Sequence, residues 1–199
     1  MQTKGDLTRR QLIEVGAGLF HQQGYHNTGL QQILKQAVIT KGSFYFHFKD
    51  KETFALAIID QQMLIFKNSL DQHLDNPTLS AEQKFTAFHQ YFFGIFSQMQ
   101  FKGGCPIGNF SQEMADISDR FAEKIRLAFN GMSRCFEKVI LQGQQEGAFR
   151  GELQSKATAN FIVNSWEGSV LRMKACQNGE PLEDWYMFIK RLLLIKESQ

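Results

Sequence analysis

Thr40-Lys41-Gly42-Ser43-Phe44-Tyr45-Phe46-His47-Phe48 is the stretch whose reading decides the fold. Thr40 can cap a short helix. Residues 44–48 carry five consecutive aromatic side chains, which cannot share one helical face. The spacing predicts that Phe44 and Phe48 anchor inward, four residues apart. Tyr45 either turns its hydroxyl outward or packs as a half-buried ring. Gly42 costs about 1 kcal/mol of helix propensity relative to Ala, but it lets a backbone N–H approach a phosphate closely. Lys41 adds a charge and Ser43 a donor. Upstream, Thr28 to Ala37 reads as a second short helix, separated from Thr40 by Val38 and Ile39. Two short helices joined by a turn of about three residues predict a helix-turn-helix, whose second helix enters the DNA major groove.

Working outward, residues 8–23 read as a first helix. Thr8 and Gln11 form its capping box, and Leu12, Ile13, Gly16, Ala17, Leu19 and Phe20 its apolar face. Gly24 stops it. Thr28 and Gln31 make a second capping box, ahead of Leu30, Ile33, Leu34 and Ala37. Arg9 and Arg10 lie in the first turn of that first helix, as solvated surface or as phosphate contacts. Asp50 caps a fourth helix running from Lys51 toward Leu74. Pro77 then marks a boundary. The expected organisation is a head of residues 1–50 and a body of residues 51–199, with 51–75 as a linking helix and natural lever.

The 199 residues are enough for a sizeable core, and 43% of them are hydrophobic, nineteen being Phe. Charge is unevenly spread. Residues 1–51 hold seven Lys/Arg (4, 9, 10, 35, 41, 49, 51) against three acids (6, 14, 50), a balance of +4. The remainder is mildly acidic. A basic head fits a nucleic-acid contact confined to one end. Cys105, Cys135 and Cys176 are widely spaced with no Cys-x-x-Cys pair, which points away from a zinc site or redox dithiol. The expectations are no metal, no cofactor, no membrane span and a cytoplasmic location.

Residues 8–56 resemble the N-terminal domain of the tetracycline-repressor (TetR) family of bacterial regulators. The resemblance rests on Gly24-Tyr25, Thr28, Ile33, Ala37, Thr40 to Tyr45, His47-Phe48 and Lys49-Asp50-Lys51-Glu52. It implies that Thr28, Thr40, Lys41, Ser43, Tyr45, His47 and Lys51 contact DNA, largely its phosphates. It also implies that Gly42 allows close backbone approach and that Lys41 or Phe44 reaches base edges. The chain departs from the family at Val38, where members usually carry Gly. A β-branched residue is costly at positive φ.

In the body, Ser80 and Gln83 cap a helix whose Phe85, Phe88, His89, Phe92, Phe93 and Phe96 recur at spacings of three and four. This stripe is either ordinary aromatic core or partly the lining of a ligand cavity. Gly103-Gly104 breaks the helix, and Pro106 suits the first turn of the next. Cys105 then lies near a helix N-terminus, which favours a thiolate. Two readings stand for it, a reactive thiol and a small buried apolar residue. A long helix is expected over 119–146, with Phe121, Ile125, Leu127, Ala128, Met132, Phe136, Val139 and Ile140 inward. Helices over 155–175 and 181–196 follow, the last with Trp185, Phe188, Ile189, Leu192 and Leu193 on one face. The pattern Gly104-Cys105-x-x-Gly108-Asn109, with Ser165 to Gly168 and Leu171 to Lys174, resembles a TetR subgroup. That subgroup answers to small electrophiles and unsaturated carbonyl compounds, in some members through a cysteine at this place.

The expected protein is all-α, with about nine helices. The resemblance implies a homodimer formed through residues 155–196, a double-stranded DNA operator and a small-molecule inducer. Candidate ligand residues are Phe92, Phe96, Cys105, Asn109, Phe110 and Trp166, the last lining a cavity or packing at the dimer interface. Glu167 and Arg172 are interior-leaning charges that need partners if buried. The rivals are a non-covalent hydrophobic ligand with a structural Cys105, a cysteine enzyme using His89 as base, and a helical adaptor.

Overall fold

Side-chain caps decide where several helices begin. The structure, a computed structural model, describes residues 3–74 and 76–194, without the side chain of Asp71. Helix α1 (Lys4–Gln23) begins four residues earlier than expected. Thr3 and Asp6 form its capping box, so Asp does the work sought from Gln11. The Thr8 hydroxyl instead donates back to the Lys4 carbonyl. Helix α2 (Leu30–Ala37) has Gly29 at its N-cap and no side-chain cap, so the expected Thr28–Gln31 box is not used. Helix α3 (Lys41–His47) is capped by Thr40, which accepts from the Ser43 N–H at 3.2 Å. Helix α4 (Lys51–Leu74) is capped by Asp50, which accepts from the Thr53 N–H at 2.7 Å.

Ser80 and Gln83 form the expected capping box of α5 (Ala81–Gln98). Pro106 opens α6 (Pro106–Met114). The chain continues through α7 (Asp119–Gln145), α8 (Ser155–Cys176) and α9 (Glu180–Leu193). The expected end of the last helix, at residue 196, lies outside the described residues. Among the described residues there are nine helices and no strand, only an isolated bridge between Phe149 and Leu194. No described helix is long and apolar enough to cross a membrane.

The chain divides into two units. The first takes residues up to 65 together with 106–126, and the second residues 66–105 together with 127–199. Unit 1 is therefore wider than a head of residues 1–50: it includes most of α4, all of α6 and the start of α7. Its core joins Leu12, Phe20, Ile33, Phe44, Phe48, Phe54, Phe110 and Phe121. Gly16 is required here, because a Cβ at this position would overlap the Phe54 ring and crowd Ile58.

The turn between α2 and α3 confirms the cost foreseen at Val38. Its φ and ψ are 55° and 44°, in the left-handed region. Its N–H reaches the Lys35 carbonyl and the Ile39 N–H reaches that of Leu34, the bond pattern of a glycine C-cap. Val38 is also 88% exposed, so its isopropyl group gains little from burial. Val38→Gly is expected to raise stability by roughly 1 kcal/mol, read as a higher urea midpoint. An unchanged or lower midpoint would show that the turn carries no strain.

Unit 2 is built around aromatic side chains from α5, α7, α8 and α9. Phe88, Phe136, Trp166 and Trp185 interlock with ring centroids about 5 Å apart. The Trp185 indole N–H donates to Ser165 at 3.0 Å. Two residues expected to point inward do not. Leu127 is 43% exposed and Phe188 67% exposed, because α7 and α9 each bury a narrower stripe than their apolar content allows.

Candidate functional site

The reading helix sorts its five rings as the spacing required. Phe44 is fully buried and packs edge-on against Phe54, with Phe48 beside it. Phe46 is 81% exposed and Tyr45 48% exposed. The Lys41 ammonium lies 6.0 Å from the Tyr45 ring. Thr40, Lys41 and Gly42 are exposed, and nothing lies within 4 Å of a Cβ built on Gly42. Ser43 and His47 are half-buried, His47 with its ring edge-on to Phe46. The helix thus presents hydroxyls, one cation and an open backbone on one side.

Three of the residues expected at DNA have specific surroundings within the fold. Phe44 has no exposed surface to offer a base edge. Thr28 is likewise fully buried, its hydroxyl donating to the Gly24 carbonyl at 2.7 Å and accepting from Gln23. It ties the α1–α2 turn instead of facing outward. The Lys51 ammonium donates to the Tyr25 carbonyl at 2.6 Å and sits 4.1 Å from the Tyr25 ring centroid. Burial lowers its pKa, with the Glu113 carboxylate opposing that shift.

Glu113 was not foreseen. Its carboxylate accepts from the backbone N–H groups of Tyr25 and His26, each at 3.1 Å. Helix α6 is thereby pinned to the turn that precedes α2. Glu113 lies 88 residues from Tyr25 in sequence, so no local pattern could reveal the pairing. Phe110, expected to line a ligand site, belongs to this same unit. It is buried against Phe20 and Phe121. Asn109 is half-buried beside it in sequence.

The other ligand candidates come together in unit 2. Trp166 is 2% exposed, with Phe92 and Phe96 at 5.9 and 6.1 Å between ring centroids. Cys105 packs against this cluster, half-buried. The chain reaches it through left-handed backbone at Gln100, Phe101, Gly103 and Gly104. Two of those four are not glycine, which stores strain just before the thiol. Glu167, beside Trp166 in sequence, has its Oε1 buried without a hydrogen-bond partner. Burial pushes that carboxyl up to about 7, and the thiol partly offsets the shift. Arg172, expected like Glu167 to lean inward, is exposed. His89 is buried and stacked 4.2 Å from the Tyr186 ring, with Glu183 at 3.9 Å. Burial lowers its pKa against the pull of Glu183. Its contacts are those of a core histidine. Among the described residues no cluster of side chains has the composition of a metal site.

Comparison with known proteins matches residues 12–58 to the family model described as bacterial regulatory proteins, tetR family. Residues 81–188 match the tetracyclin repressor-like C-terminal domain. The chain is 31% identical to the HTH-type transcriptional repressor DhaR of Mycobacterium sp. (strain GP1), over 94% of this chain and 92% of that one. It is 26% identical to the HTH-type transcriptional repressor NemR of Escherichia coli K12, over 94% of each. The crystal structure of a regulatory protein TetR from Rhodobacter sphaeroides superposes with a TM-score of 0.89 at 28% identity, over 94% of this chain and 100% of that one.

Proposed function

The chain belongs to the TetR family of bacterial transcriptional regulators, and from that premise we propose a homodimeric repressor released from its operator by a small electrophile. The observation that carries the DNA-binding half is α3, anchored by Phe44 and Phe48 and presenting Thr40, Lys41, Gly42 and Tyr45 outward. Phosphate contacts from such groups set register, and base-edge contacts choose sequence. Two copies would read half-sites about 34–36 Å apart. The dimer face is formed by α8 and α9, which leave Phe161, Leu171, Met187 and Phe188 exposed on helices whose other faces are buried. Such a surface suits isologous pairing.

The direct test is fluorescence anisotropy on labelled DNA from the protein's own promoter region. Lys41→Ala combined with Tyr45→Ala is expected to weaken binding roughly 10- to 100-fold. Added salt is expected to weaken the wild type steeply. Absence of wild-type binding to every such fragment sinks the reading. An adaptor that used this helix for protein contacts would keep its function in the double variant.

Cys105 is the sensing residue in this reading. The support is its packing against the aromatic cluster, the strained turn leading into it, and its place directly before Pro106, where α6 starts. Alkylation at Cys105 acts on a residue covalently joined to the helix that carries Glu113. The ligand must favour the DNA-free form to shift the equilibrium. Cys105→Ser is expected to abolish operator release by an unsaturated aldehyde while leaving operator affinity intact. Unchanged release would favour a non-covalent hydrophobic inducer and a structural thiol.

A further inference from the structure

Thr40, Lys41, Ser43 and Tyr45 carry side-chain heteroatoms that suit phosphate oxygens, but Phe46 carries none. Its ring is nevertheless the most exposed of the five, at 81%. At 3.6 residues per turn, Phe46 points about 200° round the helix from Phe44, which is fully buried. Gly42 lies one turn earlier on the same outward ridge, and nothing comes within 4 Å of a Cβ built there. The ridge farthest from the core is thus a bare ledge followed by a phenyl ring. Lys41 and Tyr45 flank it on one side, and Ser43 and His47 on the other. His47 stands edge-on to the Phe46 ring at 5.0 Å between centroids. The His47 ring in turn lies against the start of α1, 3.7 Å from where a Cβ on Gly5 would stand. The Phe46 ring is therefore steadied by a neighbour that is itself seated. Packing within the fold gives this position no reason to be apolar.

We propose that Phe46 selects the operator by packing on the 5-methyl group of thymine in the major groove, an inference that rests on the reading of α3 as the DNA-reading helix. A phosphate takes hydrogen bonds and positive charge, which a phenyl ring lacks, so Phe46 stands apart from the contacts that set register. Base edges in the major groove offer donors, acceptors and one apolar feature, the thymine methyl. Cytosine presents no such group. Charge favours duplex DNA over another apolar surface as the occupant, because residues 1–51 carry a balance of +4 and Lys41 adjoins the ridge that bears the ring. A phenyl ring among exposed cations suits a groove with anionic walls and methyl groups on its floor. Burying one methyl group corresponds to about fourfold in affinity. A symmetric site with one such thymine in each half therefore gains about tenfold or more.

The test uses the full-length protein and a promoter fragment that the wild type binds, made once with thymine and once with deoxyuridine, which lacks only the methyl. Anisotropy reads binding, with a scrambled duplex of the same composition as the non-specific reference. The wild type is expected to lose about tenfold on the deoxyuridine duplex. Phe46→Ala is expected to lose about tenfold on the thymine duplex and to tell the two duplexes apart by less than about twofold. It should bind the scrambled duplex as the wild type does, and an unchanged urea midpoint keeps a folding defect apart. Three results overturn thymine readout by Phe46 and leave the DNA-binding reading standing. The first is a wild type with no preference for thymine, which needs no variant to observe. The second is a Phe46→Ala protein that loses as much on deoxyuridine as the wild type. The third is a loss in Phe46→Ala that is equal on the scrambled duplex. If the wild type binds no promoter fragment, both readings fall.

Discussion

Phe44→Ala is expected to destabilise the protein by about 3–5 kcal/mol, the range for removing a buried ring. Phe44 has no exposed surface and contacts Tyr45, Phe48 and Phe54 through its ring. It fastens α3, a helix of only seven residues, to the first turn of α4. A helix that short is not stable by itself, so losing its anchor should melt the reading head and abolish operator binding. Phe46→Ala is the matched control. That ring is 81% exposed, and its removal is expected to change stability by no more than about 0.5 kcal/mol. Urea denaturation read by a probe in the head, beside anisotropy on the operator, separates the two. Equal effects from both substitutions would contradict the assignment of inward and outward rings.

Glu167→Gln is expected to remove a pH-dependent loss of stability. The folded carboxyl lies at about 7, above its usual 4.5. Between those values the native state holds more proton than the unfolded chain, so stability falls as pH rises. The loss is absent below about pH 4.5 and complete above about pH 7. At 1.36 kcal/mol per pKa unit it amounts to about 3 kcal/mol. The amide cannot ionise, so the variant should be more stable than the wild type at pH 8 and nearly equal at pH 5. Urea midpoints at the two pH values check this. A variant less stable at both would mean that the carboxylate makes a favourable contact the thiol does not account for.

Local chemistry was readable from the residues alone. Thr40, Asp50, Ser80 and Pro106 each start a helix where the chain says they should, because a cap needs only a side chain and an amide within three residues. The same rule misled at Thr8 and Thr28. Each has a capping-box partner three residues on, but Thr8 back-bonds inside a helix already begun at Lys4, and Thr28 turns its hydroxyl inward to Gly24. Lys51, expected at a phosphate, also donates to the Tyr25 carbonyl and lies over the Tyr25 ring. These outcomes depend on what packs against the residue, which periodicity does not carry. The same holds for the site in unit 2. The interior lean of Glu167 was visible on α8, but the burial that pushes its carboxyl up to about 7 depends on what the fold packs around it.

The discontinuity of unit 1 bears on how freely this reading head can be exchanged between regulators. Its core draws on two separate parts of the gene product, the first 65 residues and residues 106–126. A chimera that grafts residues 1–75 onto another regulator's body would leave behind Glu113, which holds the Tyr25 and His26 amides, and the Phe110 and Phe121 rings that cover Phe20 and Tyr25. Such a graft is expected to fold only where the recipient supplies equivalent groups. Carrying residues 106–126 along with the graft should restore it. The module expected to transplant is therefore a two-segment one, residues up to 65 with 106–126.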